Sequence, residues 1–412
     1  MFYDFEDKKQ RTQYKNMLTI IGSLSKLFSD NDKPYLAYRA HENCFCKYFD
    51  AENLARHDCS ADAMKDGIGV GLKTWINSDI QKVAEFNKLK HLLDGLPDDE
   101  LVAKVAEFRN DRITTTMNMF DLNKMIYHVV IRNNKSMQIG ECDFEKIDIP
   151  NIKLLKNTSK KNTVYFTDGK HTYNFNKSKS TLYMKFDDLD ILDTFDVNIL
   201  DDPYDFLLDS FNSSTKQPHV EFPTLYPSQN TELYVNEDSQ SYNTDNSTKF
   251  PTIDKHRVLA LKLYSVKNDK PFVFEKSGLN IWNAGGRKRH PDEVYIPFNK
   301  PDRDRPENKD FFPPREKSFN LMLPNKQILS AKICQEQGKA IMSDPNKALG
   351  KWLLRDVLNL PEKTIITYDL LQQKGFDTVL FEKIDDENYS IYFTDSRIYD
   401  SLYNQDTQEA QN

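Results

Sequence analysis

Residues 59–75, CSADAMKDGIGVGLKTW, decide how the first half of the chain is read. Gly67, Gly69 and Gly71 alternate there with Ile68, Val70 and Leu72. A period of two specifies a strand. Met64-Lys65-Asp66-Gly67 supplies the turn from a preceding strand around residues 60–63. The hairpin sets Asp62 before the turn and Lys73 on the strand after it. Beyond Trp75 the spacing becomes helical. Asn77-Ser78-Asp79 offers an N-cap, and Ile80, Val83, Ala84 and Asn87 follow at helical intervals. Glu85 then falls near the middle of a helix.

Working outward, Met17, Ile20, Ile21, Leu24, Leu27 and Phe28 recur on one helical face, which Pro34 ends. A short helix or turn carries Tyr38-Arg39-Ala40-His41-Glu42. Downstream, Pro97-Asp98-Asp99-Glu100 starts a second helix that runs through Leu101, Val105 and Phe108 toward Arg112. Residues 124–186 read as strands, with an Asp168-Gly169 hairpin turn. From 212 to 257 Ser, Thr, Asn, Gln and Pro dominate, the composition of a linker or surface excursion. From Val258 onward the pattern is strand and turn, with one clear helix at 349–358 and a polar tail that should fray. The expected class is mixed α+β. Its divisions are an α/β domain at 1–211, an irregular segment at 212–257 and a β-rich domain at 258–405.

The 412 residues carry 56 Lys and Arg against 63 Asp and Glu, a net charge of −7. Binding of a polyanion by bulk charge is thereby excluded, so a nucleic-acid site must be a local patch. No apolar run approaches the roughly 20 residues that span a bilayer, and the charged start lacks a signal-peptide core. A cytoplasmic protein with no membrane partner is expected. Its five cysteines should be reduced thiols. Cys44, Cys46, His57 and Cys59 could make a zinc site, but Cys-x-Cys and His-x-Cys are tighter than usual ligand spacings, and buried thiols are the plainer reading.

Two carboxylates and an ammonium, with no thiol or imidazole, suit a hard cation. Asp62 and Glu85 are therefore the expected Mg²⁺ ligands, and Lys73 the group that orients the attacking hydroxide. In this arrangement the chain resembles the PD-(D/E)xK nucleases, and among them type II restriction endonucleases. The acid that usually stands two residues before the lysine is replaced here by Gly71. Some restriction enzymes move that acid about a dozen residues past the lysine, onto the next helix, which is where Glu85 falls. The resemblance also implies an acid on the first helix, for which Glu42 is the candidate and Asp58 and Asp66 are weaker ones. No GxxxxGK[ST] phosphate loop is present. Arg109-Asn110-Asp111-Arg112 reads as a base-reading segment or a salt-bridged helix end.

In the second half, SGLNIWNAGGRKRHPDEVYIPF at 277–298 is the densest basic patch. Arginine can pair with guanine and asparagine with adenine in the major groove. A second polar hairpin, KICQEQGK at 332–339, precedes Ser343-Asp344-Pro345-Asn346-Lys347. With FFPPR and the run from 323 to 358 between and after them, these resemble the B3-like DNA-recognition domain of certain restriction endonucleases. The resemblance covers about 260–400. It implies two β arms that straddle the major groove. The first would carry Asn280, Trp282, Asn283, Arg287, Lys288 and Arg289, and the second Gln335, Gln337, Lys339, Asn346 and Lys347. Lys339 and Lys347 are expected on phosphates. Some relatives use a metal-free nuclease half with His-x-Lys motifs, and none of the eight histidines here is followed by lysine at that spacing.

The expectation is a Mg²⁺-dependent, site-specific endonuclease of double-stranded DNA. A companion methyltransferase would protect host DNA, and a homodimer would supply a second active site. The alternative is a DNA-binding protein or regulator without catalysis.

Overall fold

The computed structural model describes residues 1–155, 162–214, 257–315 and 317–403. The fold is mixed α+β. Residues 59–75 form a hairpin as expected, but its first strand is Ala63–Lys65 rather than 60–63, and the turn to Ile68–Trp75 is only Asp66 and Gly67, both at positive φ. Ile68–Trp75 also runs parallel to Lys124–Asn133, pairing Gly71 with Tyr127 and Lys73 with Val129. The full sheet has the order Glu52–Asn53, Ala63–Lys65, Ile68–Trp75, Lys124–Asn133, Ser136–Asp143, Asp190–Asp196.

Strand alternation gives this sheet two apolar faces. Val70, Leu72, Ile126 and Val130 share a core with the helices Lys8–Ser23 and Tyr38–Phe49. Met125, Tyr127 and Val129 join a second core with the helix Asp98–Met119. The helix Tyr38–Phe49 is anchored by a fully buried polar chain. His41 Nε2 meets Tyr14 Oη at 2.9 Å, Tyr14 Oη meets His128 Nε2 at 3.1 Å, and His128 Nδ1 meets Glu141 Oε1 at 2.9 Å.

The expected helix through Glu85 is a strand, Ile80–Glu85, at the edge of a second sheet. It pairs antiparallel with Thr181–Lys185, about a hundred residues downstream. Leu182 faces Ala84 and Tyr183 faces Lys82, so Val83 is the extra residue of a bulge. The bulge lets neighbouring Val83 and Ala84 both pack on the core, which in sequence imitates helical spacing.

In the second half a seven-stranded sheet runs Val258–Lys262, Thr378–Lys383, Asn388–Thr394, Ser318–Met322, Ile328–Cys334, Ala340–Ser343, Ile296–Pro297. Its two end strands approach each other, so the sheet is a nearly closed barrel. The helix expected at 349–358 is Ala348–Gly350 continued by the π-helical turn Lys351–Val357, which buries Trp352, Leu353 and Leu354. Helices Tyr368–Lys374 and Ser396–Tyr403 were not foreseen. A helix, Pro203–Ser214, reaches into the expected irregular segment; the rest of that segment, 215–256, and the tail at 404–412 lie outside the described residues.

One apolar core runs across both halves, where the helix Asp98–Met119 meets the turn Lys351–Val357 and the helix Tyr368–Lys374. Gly375 ends the latter helix at φ +104, and a Cβ there would lie 3.5 Å from Asp58 O and 3.6 Å from Arg112 Cγ. Glycine is needed here for the left-handed cap, since a Cβ would meet its neighbours only at ordinary contact distance.

Candidate functional site

Asp62 is held by its own hairpin. Its amide donates to Val70 O at 2.8 Å, and its Oδ2 accepts from Leu72 N at 2.7 Å. That leaves the carboxylate with spare acceptor capacity. Lys73 lies one residue beyond Leu72, and its ammonium has no hydrogen bond or ion pair among the described residues. Glu85 ends its strand, where Lys82 and Asn87 donate to its carboxylate and Arg112 Nη1 donates to its carbonyl at 2.8 Å. Asp62, Lys73 and Glu85 come from two different sheets and line one cleft of about 380 Å³.

Glu42 is not on the cleft wall, yet it sits within reach of the same charges. Burial, then the negative charge of Asp62, pushes its carboxyl up to about 7, against the opposing pull of Arg39. Arg39 Nη1 donates to Glu42 Oε2 at 2.8 Å. Burial is the larger cause of that rise, and the Asp62 charge adds to it. The oxygen-only donor set fits Mg²⁺, which is bound through one or two carboxylates plus waters and substrate phosphate. Among the described residues no three His, Cys, Asp or Glu side chains gather as a metal cluster. Asp62 and Glu85 are the two sequence-expected carboxylates on the cleft wall, and the Glu85 carboxylate is already engaged by Lys82 and Asn87. The two weaker acids have other situations. Asp66 is an exposed turn residue, and Asp58 lies at the seam between the halves.

The far wall of the cleft belongs to the second half: Gln372, Lys374, Gly375, Phe376, Asp395 and Arg397. Asp58 N donates to Phe393 O at 3.2 Å across the seam. Burial, then the charge of Asp395, raises the Asp58 carboxyl to about 7. Burial pushes Asp395 upward too, but the Arg397 guanidinium more than offsets it and holds Asp395 below its ordinary value. Seven cationic side chains line the cleft against four acids. In a chain of net charge −7 this is a local surplus of cationic groups, though Lys88 and Lys374 are ion-paired with Asp377 and Asp111. Lys88, Lys374 and Arg397 carry no motif in the sequence. Only the meeting of the two halves brings them here.

The basic patch of the second half divides into held and free groups. Asn280 is fully buried; its amide donates to Phe274 O at 3.0 Å and Ile366 O at 2.8 Å and accepts from Ile366 N at 2.9 Å. All of its main valences are used within the fold, which corrects its expected role as a base reader. Arg289 is likewise turned inward, donating to Ala284 O at 2.7 Å and Gly285 O at 2.8 Å. Arg287 grips Glu293 with both terminal nitrogens, Nη1 to Oε2 at 3.1 Å. Asn283 donates to Glu275 O at 3.1 Å, and Trp282 keeps a buried indole N–H without a partner among the described residues. Lys288, Gln337, Lys339, Asn346 and Lys347 are exposed and have no side-chain partner among the described residues. Gln335 and Gln337 take left-handed backbone in the turn between the two strands of the second arm.

The cysteines do not converge. Cys44 and Cys46 pack in the core of the first two helices, while Cys59 packs in the other core and donates to Ala61 O at 3.2 Å. His57 lies between the rings of Phe120 and Tyr392 at the seam. Among the described residues no helix is long and apolar enough to cross a membrane.

Residues 255–385, about a third of the chain, match the family model of the NgoFVII C-terminal B3-like DNA-binding domain. The second half therefore carries a B3-like DNA-binding domain of the kind found in restriction enzymes. No curated protein matches the chain.

Proposed function

We propose that this protein is a site-specific double-stranded DNA endonuclease of the restriction type, in which the B3-like half selects the sequence and the first half cuts. One observation carries the reading. Asp62, Lys73 and Glu85 share a positively lined cleft whose opposite wall is the DNA-binding half. Mg²⁺ held by Asp62 and Glu85 would polarise the scissile phosphate and acidify a water. Lys73, without a hydrogen-bond or ion-pair partner among the described residues, would orient the attacking oxygen and offset charge on the phosphorane. Glu42, whose carboxyl burial and then the charge of Asp62 push up to about 7, would adjust the charge behind Asp62 rather than touch the ion. Lys88, Arg112 and Arg397 add positive charge along the strand's path. Cutting both strands calls for a second copy of the chain or a second visit, and a host that uses the enzyme would need a companion methyltransferase.

A competing reading, a DNA-binding protein without catalysis, is favoured by one feature. The Glu85 carboxylate is already occupied by Lys82 and Asn87. The two separate in a plasmid assay with Mg²⁺. Defined ends in wild type, lost on Lys73→Ala with DNA affinity intact, support the nuclease. Uncut plasmid bound at specific sites supports the binding module.

A further inference from the structure

The B3-like half contains a second, smaller cavity of about 170 Å³. Three aromatic residues, Tyr264, Phe274 and Tyr295, contribute to its wall, with Ser277, Asn299 and Lys339 among its polar groups. Its position matters as much as its lining. Ser277 stands at the root of the first arm, just before Asn280, while Lys339 belongs to the second arm. The cavity therefore opens between the two arms that the DNA-binding reading sets astride the groove.

Its chemistry is that of a flat, amphipathic ligand. Phe274 is 54% exposed as a residue and its ring meets Phe272 edge to face, ring centroids 4.8 Å apart, an arrangement that does not cover the ring face. Ser277 Oγ and Tyr295 Oη share one hydrogen bond of 2.6 Å, so the pair retains one hydroxyl hydrogen and several lone pairs for a guest. The Asn299 side chain is exposed and makes no hydrogen bond among the described residues, and it can donate and accept at once. At the rim, the Lys339 ammonium has no partner among the described residues, a position suited to a phosphate.

From the coincidence of aromatic faces, paired donors and acceptors and a cation between the two arms, we infer that this cavity receives one nucleobase rotated out of the bound duplex. Asn299 and the Ser277–Tyr295 pair address the edge of the base, Phe274 stacks on its face, and Lys339 holds the adjoining phosphate. Proteins that extrude a base recover the cost of unpairing through such stacking and edge contacts. The inference rests on the DNA-reading role of this half and adds to it a position read from inside a pocket.

The test uses the full chain. Bound sequences are first selected from a random duplex pool, and a single mismatch is then walked along the selected site. Mismatches within a read site ordinarily weaken binding. At the extruded position the pairing cost is already removed, so binding should tighten about tenfold. Phe274→Ala should abolish that gain while leaving the weakening at the other positions unchanged. Lys288→Ala, which changes an exposed lysine outside the cavity, should keep the gain and lower affinity across the whole site. A selected site at which no mismatch tightens binding overturns the inference and leaves DNA reading intact. A gain that survives Phe274→Ala also overturns it, because duplex flexibility then accounts for the effect. A pool that yields no enriched sequence overturns both.

Discussion

Gly71 lies flat against the Tyr127 ring: a Cβ at position 71 would stand 2.9 Å from both Tyr127 Cδ1 and Cε1, and 3.1 Å from Phe144 Cε1. Tyr127 is in turn stacked on Phe144, centroids 4.0 Å apart, and its hydroxyl accepts from Arg109 Nη2 at 3.4 Å. The space where a second acid would ordinarily stand, two residues before Lys73, is filled by aromatic carbon. The acid that shares the cleft comes from another sheet.

Restoring the usual spacing should therefore fail. Gly71→Glu forces the ring stack apart and should cost about 1–3 kcal/mol in stability. Thermal melting should fall, and plasmid nicking should not exceed that of wild type. A stable Gly71→Glu protein with raised nicking would show that the Tyr127–Phe144 stack yields easily.

Lys73→Ala removes an ammonium that supports nothing else among the described residues. Cleavage should fall about 10²–10³-fold, the scale seen when one donor to a developing anion is lost. Melting temperature and duplex affinity should stay close to wild type. Glu85→Ala differs, because Lys82 and Asn87 lose their shared acceptor. Both activity and the local edge strand should suffer there, which is measurable as faster amide exchange in Ile80–Glu85.

The arginines of the basic patch should behave unlike its lysines. Lys288→Ala should reduce the slope of log affinity against log salt by about one, with melting unchanged. Arg287→Ala leaves Glu293, whose side chain is 3% exposed, with a weaker partner in Arg289 at 3.7 Å. Because Arg287 itself is half exposed, the expected destabilisation is only about 1–2 kcal/mol. Equal effects of the two substitutions on salt dependence would mean that Arg287 leaves Glu293 when DNA binds.

The seam acid Asp58 predicts a pH dependence. Its folded pKa is raised from 3.8 to about 7, so between those values the folded state holds a proton that the unfolded chain has released. Its contribution to stability is therefore fully present below pH 3.8 and is lost as pH rises through 7. The buried, neutral His41 and His57 tilt stability the opposite way on the acid side, so the informative quantity is a difference. Asp58→Asn should gain stability relative to wild type as pH rises from 5 to 8. A difference that does not vary across that range would mean that burial and the Asp395 charge do not raise the Asp58 carboxyl.

Much of this was legible along the chain. Alternating glycines and aliphatic residues located the strand of Lys73, since successive strand side chains point to opposite faces. The helix Asp98–Met119 was marked by its acidic start after Pro97. The B3-like half was recognisable from its basic and polar segments and buried helix, read in order over about 260–400, and the family model matches 255–385. The expected first β arm, however, opens with the 3-10 turn Gly278–Asn283 rather than a strand. Less legible were the groups within the basic patch. Composition places Asn280 and Arg289 beside Lys288, and only burial distinguishes an amide spent on Ile366 from an ammonium left in water.

The sequence by itself determined the Asp62–Lys73 hairpin, because its turn and its alternation are local and need no distant partner. Tertiary structure alone decided that Glu85 ends a bulged strand, since that strand exists through hydrogen bonds to Thr181–Lys185. It also decided the cleft, whose walls join residues some three hundred positions apart, such as Asp62 and Arg397. Local propensity acts over a few residues. A charged wall shared by two halves arises only when a common apolar core, running from Val105 to Phe393, holds them together.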